Sequence, residues 1–400
     1  MRIALLSHEY PAETGFGGIG TYTWHHARAL VRLGHEVEVF AGSTSPSMLR
    51  PDNHDGVTVW RSRSDGIMAP LHRVLGRLEW WWTRERVRNA FDMSIAFRRR
   101  NAVRSFDVVE MPECGAEGFF INGRVRATTV VRLHSPSRLI MPFYDVRGGD
   151  RWACALLESR AIRNATALSS TSYFLAEQAR ASLGITRPIP VVHNGIDLDW
   201  FDAEVELDVR SQYRIPKDRP LVLFAGRLEG RKGMDVLPAV TGAILARHDV
   251  SFAFAGDDLF GHLRDDVLAP LTTAQLRGSA HPLGRIPAAH VRDAMRLADV
   301  VFLPSLWESC PYACLEAMAA GRAIVASDAG GFPELLTDRE NGLVVKAGDA
   351  AGFVAAIDEL LGDASLRARL GQAARATVER SFRAVDTARR LVQLYGDVSR

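Results

Sequence analysis

VFLPSLWESCPYACLEAMAAGRAIVASDAGGFPEL, residues 301–335, decides how this chain is read. The apolar run from Val300 to Leu303 predicts a buried strand that feeds a loop carrying Glu308. A helix is expected to open at Cys310-Pro311, with Pro311 at the first helical position, where its missing N–H costs nothing, and Ser309 or Cys310 as cap. The N–H groups of Tyr312 and Ala313 then have no intrahelical partner and are open to a ligand. Glu316 follows one to two turns inside the helix, and a second apolar strand, Ala323 to Ala326, ends in a tight turn at Gly330-Gly331. Two carboxylates at a fixed offset around a helix start make a socket for an anionic, hydroxyl-rich ligand.

Outward from this block, short apolar strands alternate with helical patterns, the signature of parallel sheets with crossover helices. Strands are expected at 2–7, 36–42, 57–60, 107–111, 128–134 and 167–171 in the first half. In the second half they are expected at 221–226, 251–256, 299–304, 323–328 and 342–346. A helix is expected from about Gly18 to Leu33, with Ile19, Tyr22, Ala29, Leu30 and Leu33 on one face. PIPVVHNGIDLDWF (188–201) reads as a junction that turns at Asn194-Gly195. The fold class is therefore α/β, with two doubly wound units in 400 residues, each able to bury its own core. An amphipathic helix from about Ala384 to Tyr395 comes after the second sheet and is expected to cross back onto the first domain. The expected domains are 1–193, 194–380 and a terminal helix within 381–400.

Bulk composition narrows the function classes. Forty-nine Lys and Arg against 47 Asp and Glu leave a formal net charge of +2, which gives no reason to expect nucleic acid. Cys114, Cys154, Cys310 and Cys314 form no Cys-x-x-Cys pair, arguing against a zinc site or disulfide framework and for a reducing cytoplasm. The chain starts directly in a strand, leaving no room for a signal peptide. No apolar run approaches the roughly 20 residues needed to span a bilayer. Between Arg73 and Arg104 stand nine arginines against three acids, together with Trp80, Trp81 and Trp82. Such a segment can lie on an anionic membrane surface. The favoured reading is a solvated helix whose aromatics tuck into the domain or an acceptor cleft.

Several further residues could carry chemistry. Gly15, Gly17 and Gly20 satisfy G-x-G-x-x-G, but His8 to Thr14 separate them from the strand, unlike a dinucleotide fold. Either this is a flexible loop ending in a helix, or Gly17 and Gly18 let the backbone approach a phosphate held by the helix N–H groups. Arg227 and Lys232 follow the strand at 221–226. Singly they are ordinary loop charges; with the neighbouring glycines and the socket they suit a diphosphate at a strand's C-terminal end. Glu308 can accept hydrogen bonds from sugar hydroxyls, while Glu316, deeper in the helix, could grip a ribose diol. His134 ends a strand, where active-site side chains collect. Glu110, Glu113 and Glu117 also follow a strand and, with Tyr144, are candidates for the acceptor side, although a structural role is favoured for the glutamates. Asp197-Leu198-Asp199 reads as D-x-D, yet it sits in the junction, and cations at Arg227 and Lys232 make a metal unnecessary. No metal and no cofactor are expected.

These segments resemble glycosyltransferase family 4, the retaining nucleotide-sugar enzymes of GT-B architecture. The resemblance rests on GGIG (17–20), LGHEVEVF (33–40), LHS (133–135), HNGID (193–197), GRLEGRKG (226–233) and the Glu308…Glu316 block with GGFPEL (330–335). It implies two Rossmann-like domains facing across a cleft, acceptor in the first and donor in the second. It further implies that Gly18 contacts the distal phosphate or its sugar, His134 the transferred hexose, and Arg227 and Lys232 the diphosphate. Glu308 would bind sugar hydroxyls and Glu316 the nucleotide ribose. The activity implied is transfer of a hexosyl or aminohexosyl group from a nucleoside-diphosphate sugar, most commonly of UDP, to a hydroxyl acceptor with retention. The sequence departs from the family where Ser309, Cys310 and Pro311 replace a glycine-containing loop. Pro311 offers no N–H, so hydroxyl recognition by backbone amides is expected to differ. Three rival readings stand beside this one: a nicotinamide oxidoreductase, a non-catalytic nucleotide-sugar sensor, and an epimerase on the same donor. The first lacks an acidic residue for a ribose after EVEVFAGST. The second would need neither His134 nor an acceptor cleft, and the third would need acid and base residues that the first domain does not declare.

Overall fold

The computed structural model describes residues 1–11, 13–14, 17–44, 51–63, 69–204, 208–271 and 278–399. Gly15, the first glycine of the G-x-G-x-x-G run, lies outside the described residues. The chain forms two compact units: Met1–Gly195 with Ala384–Arg400, and Ile196–Arg383.

The first unit holds a seven-stranded sheet in the order β3-β4-β2-β1-β5-β6-β7. Its strands are β1 (Arg2–Leu6), β2 (Glu36–Gly42), β3 (Pro51–His54), β4 (Val57–Ser62), β5 (Val108–Pro112), β6 (Thr128–Leu133) and β7 (Ala167–Ser170). Only β3 runs antiparallel, pairing with β4. Ile3 pairs with Val37 on one side and Val108 on the other, so strand order reverses between β1 and β5. That reversal opens a crevice at the carboxyl ends of these two strands, the place where open α/β sheets receive ligands. Helix Ala384–Val398 packs in this unit, on helix Gly18–Arg32, and buries Leu391 and Tyr395. Gly195 is demanded by this return: a Cβ there would meet Thr387 Oγ1 at 2.6 Å and Ala384 Cα at 2.8 Å.

The second unit is an all-parallel six-stranded sheet in the order β10-β9-β8-β11-β12-β13. Its strands are β8 (Leu221–Ala225), β9 (Ser251–Ala255), β10 (Ala280–Gly284), β11 (Val300–Leu303), β12 (Ala323–Ser327) and β13 (Leu343–Val345). Here the reversal falls between β8 and β11. Phe252 stacks on Phe254 at 5.0 Å and Phe302 meets Phe353 at 5.2 Å, giving the sheet an aromatic core.

Two strands, β3 and β10, were not expected from the sequence. Both are edges, and Pro282 interrupts the apolar pattern of β10. The turn at Asp55-Gly56, both residues at positive φ, was a legible hairpin signal for β3 and β4. Trp81 is 55% and Trp82 37% exposed, at the start of helix Trp81–Val103, where Asp150 accepts from the amides of Trp82 and Thr83.

Candidate active site

The second unit brings most of the predicted donor residues to one place, the β8/β11 crevice. After β8 the chain makes a short 3-10 turn, Gly230–Lys232, and then Gly233 at φ +84. A Cβ at Gly233 would stand 2.3 Å from the carbonyl oxygen of Pro304, so glycine alone lets this turn lie on the loop after β11. Leu306 N donates to Arg231 O at 2.7 Å and pins the two loops together. On the far side, Gly331 N donates to Glu308 O at 3.0 Å, and a Cβ at Gly330 would lie 2.1 Å from that same oxygen. The glycine turn is therefore a clamp that fixes the backbone of Glu308.

Between these clamps sits a buried ion cluster. Lys232 Nζ is bonded to Glu308 Oε1. Ser305 Oγ donates to the same oxygen at 3.0 Å, and Arg231 Nη1 lies 3.5 Å from Glu308 Oε2. Arg231 is anchored in turn by Glu229 at 2.7 Å, and Arg227 reaches Glu229 at 3.3 Å. Burial opposes the Glu308 charge, but Lys232, Arg231 and the Ser305 hydroxyl together hold its carboxyl below the usual range. Burial pulls Lys232 below its ordinary value against the attraction of Glu308. Glu308, expected to accept from sugar hydroxyls, is paired with Lys232 and acts as its counter-ion in this structure. Arg231 and Glu229 were missed by sequence reasoning, although Arg231 stands next to a lysine already singled out. Arg227 remains 46% exposed and is the cation that projects outward.

Helix Tyr312–Ala319 begins one residue later than expected. Pro311 occupies the capping position with extended ψ of 119°, and no side chain caps the end. Cys314 N is the first amide to bond within the turn, to Pro311 O at 3.1 Å. The Glu316 carboxyl has no hydrogen-bond partner among the described residues, and burial alone pushes it up to about 7. Asp197 of the D-x-D accepts from Trp200 N at 3.4 Å and caps helix Leu198–Asp202, which accounts for its place in the junction.

In the first unit, helix Gly18–Arg32 starts at the β1/β5 crevice with Gly17 at its cap. A Cβ at Gly17 would fall 2.4 Å from Glu9 Oε2, and Gly20 N points to that oxygen at 3.4 Å. A carboxylate of the chain itself thus stands against the start of this helix. Gly18 has open space. Glu9 was missed because nothing in its sequence neighbourhood marks it. His134 ends β6, buried, 4.9 Å from the Tyr22 ring. Burial, then Arg132 and His26, hold its imidazole well below the usual range, so it is neutral at physiological pH.

The acceptor-side candidates divide. Glu113 is wholly buried and accepts from His134 N at 2.9 Å and Ser135 N at 2.6 Å. It positions the His134 backbone and presents nothing to an acceptor, because both oxygens are consumed. Glu110 accepts from Tyr22 OH at 2.6 Å and Tyr395 OH at 2.5 Å, locking the terminal helix to β5. It too is structural. Tyr144 is half-buried with its ring 5.6 Å from Trp82. Glu117 lines a cavity of about 420 Å³ together with His8, Glu9, Ile19, Trp81 and Trp82. Its Oε2 is buried with no hydrogen-bond partner among the described residues, and burial pushes the acid up to about 7.

Comparisons agree with this geometry in both units. Residues 16–200 match the family described as Glycosyltransferase Family 4, and residues 206–377 match Glycosyl transferases group 1. An uncharacterised glycosyltransferase of Methanocaldococcus jannaschii is 26% identical, across 99% of this chain and 98% of its own. D-inositol 3-phosphate glycosyltransferase of Xylanimonas cellulosilytica is 29% identical across 95% of this chain and 93% of its own. Among solved structures, sucrose-phosphate synthase from Thermosynechococcus elongatus superposes with a TM-score of 0.79 at 22% identity, covering 99% of this chain and 98% of that one. The chain belongs to glycosyltransferase family 4, a glycosyltransferase built from the two Rossmann-like units of the GT-B architecture.

Proposed function

We propose that this glycosyltransferase moves a hexosyl or aminohexosyl group from a nucleoside-diphosphate sugar, with UDP as the carrier commonest in its family, to a hydroxyl acceptor. The observation that carries the reading is the buried Lys232–Glu308 pair, clamped by Gly233, Gly330 and Gly331 beside an uncapped helix start. A lysine fixed in this way is a preorganised receiver for negative charge. As the bond from the anomeric carbon to phosphate breaks, charge grows on the departing diphosphate. Lys232, Arg227 and the amides at the start of helix Tyr312–Ala319 meet it without reorganising, in the manner of an oxyanion hole. These cations do the work a divalent ion would otherwise do, and the reaction proceeds without one. Glu316, pushed up to about 7 by burial, holds the ribose diol.

Retention is what the family resemblance implies. Glu308 is already held by Lys232, Arg231 and Ser305 and makes a poor nucleophile. Under retention, the acceptor hydroxyl then attacks from the face the phosphate leaves. Its oxygen bonds to the anomeric carbon, and its proton passes to the departing phosphate oxygen. Neutral His134 donates a hydrogen bond to a hydroxyl of the transferred sugar, and the cavity beside Glu117 and the two tryptophans receives the acceptor. The first test is a thermal-melt panel of nucleoside diphosphates and their sugars in EDTA. A ligand at a hundred times its dissociation constant adds about 2.7 kcal/mol of stability. Release of UDP from a UDP-sugar in EDTA supports the reading; strict magnesium dependence or an inverted product by NMR contradicts it.

A further inference from the structure

Seven of the twelve large apolar side chains that stand exposed among the described residues belong to three neighbouring helical segments: Leu71, Val74, Leu78, Trp81, Trp82, Trp152 and Leu156. In helix Ala69–Arg77 and the residue after it, Leu71, Val74 and Leu78 follow the i, i+3, i+7 spacing of one face, while His72 and Leu75 point inward. In helix Gly148–Asn164, Gly149, Trp152 and Leu156 follow the same spacing. The two stripes meet. A Cβ at Gly149 would lie 2.7 Å from the Trp80 ring, Asp150 accepts from Trp82 N at 3.0 Å, and Arg147 pairs with Glu79. The apolar stripes thus converge on Trp80–Trp82, a clustering of exposed apolar side chains rather than singly scattered ones.

Its charge is basic. Arg73, Arg77, Arg84, Arg147 and Arg151 border the stripes, against Glu79, Glu85 and Asp145. Two of those acids are already neutralised, Glu79 by Arg147 and Glu85 by Arg88. Arg84 rests over the Trp81 ring at 5.3 Å, so its cation sits at the level of the aromatic edge. Apolar stripes edged by arginine and tryptophan match an interface that is oily below and anionic above. A second copy of the chain would set arginine against arginine, and a nucleic acid would leave the leucines and tryptophans unpartnered.

The geometry points to this face as a peripheral docking surface for an anionic lipid bilayer. Trp81 and Trp82 belong both to the surface and to the 420 Å³ cavity, so a docked molecule presents the cavity mouth to the membrane interface. No helix among the described residues is long and apolar enough to cross a membrane, so attachment is from one side. The test is co-sedimentation of the full chain with vesicles of equimolar phosphatidylglycerol and phosphatidylcholine, and with phosphatidylcholine alone. Wild type is expected to pellet with the anionic vesicles, to be released by salt, and to ignore the neutral ones. Val74→Asp with Trp152→Ser, and separately Arg73→Glu with Arg77→Glu, are expected to lower partitioning about tenfold or more with unchanged melting temperature. Equal binding to both vesicles, or none to the anionic ones, overturns the proposal. So does reversible self-association in ultracentrifugation that Val74→Asp with Trp152→Ser abolishes, since the occupant would then be a second copy.

Discussion

The two units are the same architecture filled in opposite ways. The second unit centres on an apolar core, with Phe224, Phe252, Phe254, Phe302 and Phe353 each less than 2% exposed, and its buried charges are gathered at the β8/β11 crevice and in the Arg292–Asp293 pair. The first unit buries charge throughout: Arg2 with Glu38, Arg86 with Glu158, Glu110 between two tyrosines, and Arg132 fully enclosed beneath the Tyr22 ring at 4.5 Å. A uniform core can hold one ion cluster rigidly. A core laced with acids is tuned by hydrogen bonds and responds to protons. The contrast suits a shared donor mechanism on one side and a chain-specific acceptor on the other.

The largest effect should come from breaking the cluster. Lys232→Ala is expected to lower kcat/KM about a hundredfold to a thousandfold. It also strands Glu308 without its main partner, at a cost of about 3–5 kcal/mol in stability. Adding Glu308→Gln should recover most of that stability and none of the rate. If stability and rate recovered together, the cluster would be merely structural. In the first unit, Tyr395→Phe takes one donor from Glu110 and should cost about 1–3 kcal/mol in melting experiments. Nucleotide affinity should not change; if it does, the two units are more tightly coupled than their separate cores suggest.

Acidity sharpens the contrast further. Burial, followed by the Glu158 carboxylate, pushes Glu113 up to about 8, and burial pushes Glu117 up to about 7, from an ordinary value of 4.5. The folded state therefore binds more protons than the unfolded one between these limits, and stability must fall as pH rises from 4.5 toward 8. Glu308, held below 4.5, works in reverse: its contribution is present above that value and lost as pH falls below it. Hydrogen exchange resolved by residue should show the backbone around Glu113 and Glu117 loosening in mild base and the loops joined by the Lys232–Glu308 pair loosening in acid. Loosening of these two places in the same direction would break the comparison. A smaller effect is expected of Arg227→Ala, which removes an outward-facing cation paired with Glu229. Stability should move by less than about 0.5 kcal/mol, while kcat/KM should drop about tenfold, the worth of one charge-assisted hydrogen bond.

How legible all this was depends on period and place. The central strands and crossover helices carry strong apolar runs, so two doubly wound sheets followed from the sequence. Edge strands β3 and β10 do not, because half their surface is wet and Pro282 can sit where no ladder partner is needed. At the site, Arg227, Lys232, Glu308 and Glu316 stood out by spacing. Who pairs with whom did not: the sequence does not show that Glu308 pairs with Lys232, nor that Glu113, for which a structural role is favoured, is spent on the amides of His134 and Ser135. Those are facts of side-chain geometry between segments distant in sequence. Glu9, facing the start of helix Gly18–Arg32 through a loop with no motif of its own, is the plainest instance.

The central claim is that fixed positive groups, led by Lys232, hold the pyrophosphate. Calorimetric titration of UDP into the wild type and Lys232→Met, both in EDTA, addresses it most directly. Binding by the wild type without added metal, weakened about tenfold or more in the variant, is the predicted result. Affinity that appears only with magnesium, or that is the same in both proteins, would contradict it.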